Sequence, residues 1–113
     1  MTDYDGRRFS PVTDEPGHHP VAHYHQKEDL VWGEFSGGDV RGGSLNGVST
    51  PDGELRFAYC MVLGGGEIVT GLCHSIPETL ADGRIRLIEH WERFGAGADT
   101  GVSFLEELPD IVG

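Results

Sequence analysis

Basic residues are scarce in this chain of 113 residues: 8 Lys and Arg stand against 19 Asp and Glu, a formal net charge of −11. That field repels phosphate backbones and anionic bilayers, so neither nucleic acid nor a membrane surface is expected as a partner. Long apolar runs are missing too. Nothing approaches the roughly 20 residues that span a bilayer as a helix, and Met1-Thr2-Asp3-Tyr4-Asp5 lacks the basic-then-apolar order of a secretion signal. A cytoplasmic location is the expectation. Helical periodicity is not sustained anywhere, with Phe104-Leu105-Glu106-Glu107-Leu108 the nearest approach.

Metal and cofactor patterns are thin. The acidic turn residues Asp39, Asp52, Glu67, Asp82 and Asp99 form no Asp-x-Asp-x-Asp-Gly loop. His18, His19, His23 and His25 cluster, and His23-x-His25 is a workable chelate, but the spacing matches no closed zinc template. An acetyl-CoA site of the N-acetyltransferase kind needs an Arg/Gln-x-x-Gly-x-Gly/Ala loop opening a helix, so that backbone N–H groups meet the pyrophosphate. Arg93-Phe94-Gly95-Ala96-Gly97 comes nearest, with the wrong spacing and no helix after it. Neither a metal nor a cofactor is expected.

What the chain has in plenty is glycine, 18 residues gathered at turns. A near-repeat carries the rhythm: Pro51-Asp52-Gly53-Glu54-Leu55-Arg56-Phe57 returns as Ala81-Asp82-Gly83-Arg84-Ile85-Arg86-Leu87. Asp-Gly and Gly-Gly accept the positive φ of tight hairpins. Strands are expected near 21–26, 30–36, 40–49, 54–63, 67–76, 84–94 and 101–107, with Pro77 ending the fifth. Residues 1–20, with Pro11, Pro16 and Pro20, read as an irregular arm holding a short extended piece at 8–12, and 21–113 as one domain. Seven or eight strands on short turns leave two edges, and closure removes both. The expected fold is all-β, a single antiparallel up-and-down barrel of lipocalin- or calycin-like architecture; a two-sheet sandwich would need longer crossovers.

Two-residue loops at Gly64-Gly65 and Asp82-Gly83 would set a register. Tyr59 would then lie beside Thr70, Phe57 beside Leu72, Leu55 beside His74, and His74 opposite Trp91. One face would gather Phe57, Tyr59, Thr70, Leu72, His74, Leu87, Glu89 and Trp91, while Cys73 and Ser75 point away; Leu30, Trp32 and Glu34 share a face of the second strand that the register leaves open as inward or outward. Cys60 and Cys73 would sit roughly 13 Å apart at strand rise, beyond the about 7 Å Cα separation that a disulfide tolerates. Both are expected as free, buried thiols.

From Tyr24 to Glu107 the chain resembles a group of small bacterial proteins. The resemblance rests on Trp32 with Phe35-Ser36-Gly37-Gly38, on Val40-Arg41-x-Gly43-x-Leu45-x-Gly47 and on Phe57-x-Tyr59. It continues through Gly71-x-Cys73-x-Ser75-x-x-Glu78-x-Leu80-x-Asp82-Gly83-Arg84-x-Arg86-Leu87, Glu89-x-Trp91 and Gly101-x-Ser103-x-x-Glu106-Glu107. It implies a small antiparallel β-barrel, and many members carry the label N-acetylglutamate synthase.

Glu89 is the residue with the sharpest chemistry, a carboxyl between Leu87 and Trp91 on a face expected to be buried. It is either a general acid/base, with His74 as proton partner and Tyr59 beside them, or a carboxylate paired with Arg56, Arg84 or Arg86. The ligand wall would be Trp32, Phe57, Thr70, Leu72, Leu87 and Trp91, which a packed core would also use. The leading expectation is a barrel that binds a small organic molecule in a mostly apolar cavity. The alternatives are an isomerase, cyclase or dehydratase working through Glu89, His74 and Tyr59, and a structural homodimerisation module.

Overall fold

A computed structural model of the chain describes residues 2–109; residue 1 and residues 110–113, which the expected arm and domain include, lie outside the described residues. Eight strands follow one another: β1 Arg8–Pro11, β2 Val21–Lys27, β3 Leu30–Gly37, β4 Val40–Ser49, β5 Leu55–Leu63, β6 Ile68–Thr79, β7 Ile85–Arg93 and β8 Asp99–Glu107. Each pairs antiparallel with the next, and β1 pairs with β8, so the sheet closes into an up-and-down barrel. The expected fold class holds. The short extended piece expected within the N-terminal segment is β1, and that segment also places Tyr4 and Phe9 in the core. Arg7 secures the seam with two bonds to the Glu107 carboxylate, at 2.8 and 3.0 Å.

Three hairpins share one construction. The N–H of Thr50, Leu63 and Leu80 donates to the carbonyl of Glu54, Glu67 and Arg84, and the N–H of Gly53, Gly66 and Gly83 returns to Thr50, Leu63 and Leu80. Each loop therefore holds three residues, the third a glycine at φ +82°, +88° or +88°. A type I turn closed by a left-handed glycine is the usual three-residue solution. The near-repeat is thus a loop-and-strand unit used twice, one residue longer than two-residue hairpins would be.

That residue reverses β6. Leu55 pairs with Ser75, Phe57 with Cys73 and Tyr59 with Gly71, while Cys73 faces Trp91 and Ser75 faces Glu89. Side chains alternate along a strand, so a shift of one sends every β6 side chain to the other wall. Nor does β6 stop at Pro77, which pairs with Leu87. Even-numbered β6 residues aim their backbone groups at β7, as Thr70 shows by accepting from Phe94 N–H. Pro77 turns its missing N–H the other way, beyond the start of β5 at Leu55. No ladder bond is lost there.

One end of the barrel is filled. Tyr4, Phe9 and Tyr24 pack with ring centroids 5.0–6.4 Å apart, beside Val31, Leu55, Ile85 and Leu87. The Tyr4 hydroxyl donates to the Gly53 carbonyl and fastens the N-terminal segment across this end. The other end, where the 12–20, 38–39, 64–66 and 94–98 loops gather, is open.

Candidate functional site

Below the open end lies a cavity of about 350 Å³, a size usual for small-ligand pockets. Pro11, Pro20, Val40, Met61 and Arg93 surround its mouth, and Tyr24, Phe57, Cys73, Glu89 and Trp91 border its depth. Inward glycines keep it hollow. A Cβ on Gly43 would run into the Phe35 ring, one on Gly71 into the Tyr59 phenol and one on Gly101 into the Trp91 indole. Each ring lies against the wall over its glycine instead of across the lumen. The Trp91 indole N–H also donates to Ser103 Oγ at 2.8 Å, which fixes the ring plane.

Glu89 projects into this space from the middle of β7. Ser75 Oγ donates to its Oε2 at 3.1 Å and the Cys73 thiol donates to the same oxygen at 3.5 Å. Burial pushes the Glu89 carboxyl above its ordinary 4.5, and these two bonds oppose the shift. The Cys73 thiol is pushed far up, first by burial and then by the Glu89 charge. A thiol so reluctant to ionise is a hydrogen-bond donor rather than a nucleophile. Burial and the Glu89 charge likewise raise Tyr24, and burial raises Tyr59 against the opposing charge of Arg93.

The structure brings some of the expected site residues together and separates others. Glu89, Tyr59, Phe57 and Trp91 border the cavity, and Leu87 is buried on the same wall, toward the filled end. His74 is outside, held by Glu54 Oε1 at 2.6 Å with the His90 ring beside it, so no His74–Glu89 proton pair exists. Thr70 and Leu72 are outside as well, for the same one-residue reason. Trp32 stacks on His25 at 5.5 Å on the outer wall, with Val31 and Gly33 taking the inward positions. Arg56, Arg84 and Arg86 make no ion pair with Glu89; Arg84 pairs with Asp82 and Arg86 with Glu106. Both cysteines are free, as expected, but Cys60 is exposed and only Cys73 is buried.

Cys73, Ser75, Tyr24, Phe35, Arg93 and Ser103 were not assigned to the site from sequence. A signal for β6 was present, since a third residue precedes or completes the Gly-containing core of each loop. The greater hydrophobicity of Leu72 and Ile76 over Cys73 and Ser75 pointed the other way.

Comparison with known families gives a match to Avidin-like protein over residues 2–108. No curated protein and no solved structure gave a match. The label N-acetylglutamate synthase finds no support in either the fold or these comparisons.

Proposed function

Because the chain belongs to the avidin-like family, whose barrels bind small ligands such as biotin, we propose that it binds a small organic molecule inside the barrel. The observation that carries this reading is the cavity itself. It is about 350 Å³, open at one end, walled by Phe35, Phe57, Tyr59 and Trp91, and holds one deep carboxyl, Glu89. Apolar walls with few polar groups give a ligand both burial and orientation. Acid/base catalysis is the weaker alternative, because His74 stands on the other side of the wall from Glu89.

Two tryptophans are present and only Trp91 borders the cavity. A Trp32→Phe protein therefore reports from the site by fluorescence. Titration with benzyl alcohol should give a saturable change, and Ala22→Phe, which fills the cavity wall, should abolish it. An unsaturable response, or one indifferent to Ala22→Phe, contradicts the reading.

Self-association through the outer face of β6–β8 is a second proposal, carried by Leu72, Val102 and Phe104, which are 49%, 53% and 46% exposed. Val102 and Phe104 stand side by side on the outer face of β8, with Leu72 two strands away, and an apolar face of this kind suits a protein partner. Sedimentation should show a dimer or larger assembly that Val102→Glu dissociates; a monomer at all concentrations excludes it.

A further inference from the structure

The Glu89 carboxyl is only half used by the protein. Both donors, Ser75 Oγ and Cys73 Sγ, converge on Oε2. Among the described residues Oε1 has no hydrogen bond, yet no fully enclosed side-chain polar atom lacks a partner. Oε1 therefore borders the cavity, which a water-sized group can enter. A carboxyl placed this deep is costly to ionise without a counter-charge, and the described residues supply none beside it. Among the described residues Arg93 is the sole basic side chain lining the cavity, and it stands at the mouth with its guanidinium 5.4 Å from the Trp91 ring centre.

We propose that the ligand is a small organic nitrogen base, bound as its cation, whose N–H group docks on Glu89 Oε1 while its apolar body lies between Phe57 and Trp91. This rests on the reading that the barrel holds a small molecule. Three further features favour a cation over other chemistries. An anion would meet the Glu89 carboxylate in a low-dielectric space, where like charges repel most strongly. The indole and phenol faces of Trp91 and Tyr24 attract cations. The net charge of −11 concentrates cations around the molecule and repels anions. A cavity of about 350 Å³ limits the ligand to one or two rings or a short chain.

Protons balance in a way that can be read. Burial raises the Glu89 carboxyl, so the free protein holds its proton to higher pH than an exposed carboxyl does. An ammonium ligand needs the carboxylate, so at a pH where the free carboxyl still holds its proton, that proton leaves for solvent as the ion pair forms. The ligand keeps its own proton and no bond to carbon changes.

The test is calorimetry with benzylamine, benzyl alcohol and benzoate on the wild type and on Glu89→Gln. Benzylamine should bind the wild type about tenfold or more tighter than benzyl alcohol, the margin of a charge-assisted hydrogen bond. Glu89→Gln should erase that margin, bringing benzylamine and benzyl alcohol to within about twofold of each other. Below the pH at which the free carboxyl ionises, buffers of different ionisation enthalpy should reveal proton release with benzylamine and none with benzyl alcohol. If Glu89→Gln fails to fold, the wild type decides alone: acidification should weaken benzylamine and spare benzyl alcohol. Equal binding of amine and alcohol, or an amine preference that survives Glu89→Gln, overturns the proposal and leaves the cavity reading standing. Binding of none of the three overturns both.

Discussion

Ser75 Oγ and Glu89 Oε2 meet at 3.1 Å across the β6–β7 pair, and that bond fixes the floor of the cavity. It exists because Leu80-to-Arg84 closes over three residues; a two-residue loop would have turned Ser75 to the outside. Loop length thus decides which side chains face the Glu89 carboxyl.

The burial of Glu89 has a consequence for stability. Its folded value lies above the ordinary 4.5, so below 4.5 both folded and unfolded chains hold the proton. Above it the unfolded chain releases first, and stability falls as pH rises through the folded value, by up to about 1.4 kcal/mol per pH unit. Urea unfolding from pH 4.5 to 8 should show this decline in the wild type and a flatter profile in Glu89→Gln. Parallel profiles would show that the carboxyl is not held neutral by its surroundings.

All three tyrosines are raised, and burial is the first cause in each. Tyr4 is pushed up to about 12 from an ordinary 10. A phenol kept neutral stabilises the fold fully below 10, and that contribution is lost as pH climbs toward the folded value. Absorbance at 295 nm should therefore show the phenols ionising above 10 in the folded protein, Tyr4 and Tyr24 only with alkaline unfolding. A reversible transition near 10, before unfolding, would count against these burials.

Gly101 is small because the Trp91 indole covers it. Gly101→Ala should tilt that ring toward the lumen, cost about 1–3 kcal/mol as overpacking does, and weaken benzyl alcohol binding. Melting and fluorescence titration read both effects. A neutral result would mean that the indole has room to move.

Gly83 sits at φ +88°, where a Cβ is strained although nothing stands within 4 Å of it. Gly83→Ala should cost about 1–2 kcal/mol, the penalty for left-handed backbone. Gly97→Ala, with open space and no positive φ, should cost little. Equal losses at the two sites would contradict the loop geometry.

The same loops show how far the sequence could be read. Turn positions, strand order and closure are legible because Asp-Gly and Gly-Gly mark chain reversal whatever the loop's length. The inward placement of Phe57, Tyr59, Leu87, Glu89 and Trp91 is legible too, as alternation within β5 and β7 needs no partner. The β6 face is not, because it depends on a single residue of loop length and its two faces differ little in polarity. Tyr4 and Phe9 escape for another reason: a four-strand-residue piece among prolines has no periodicity to reveal that it completes a barrel.

The central claim is that a small molecule occupies the barrel beside Glu89, and a crystal soaked with 4-iodobenzyl alcohol tests it most directly. An anomalous iodine peak is expected inside the barrel, among Phe57, Tyr59 and Trp91. Iodine found only on the outer wall, near Leu72 and Val102, or an interior closed by collapsed side chains, would contradict it.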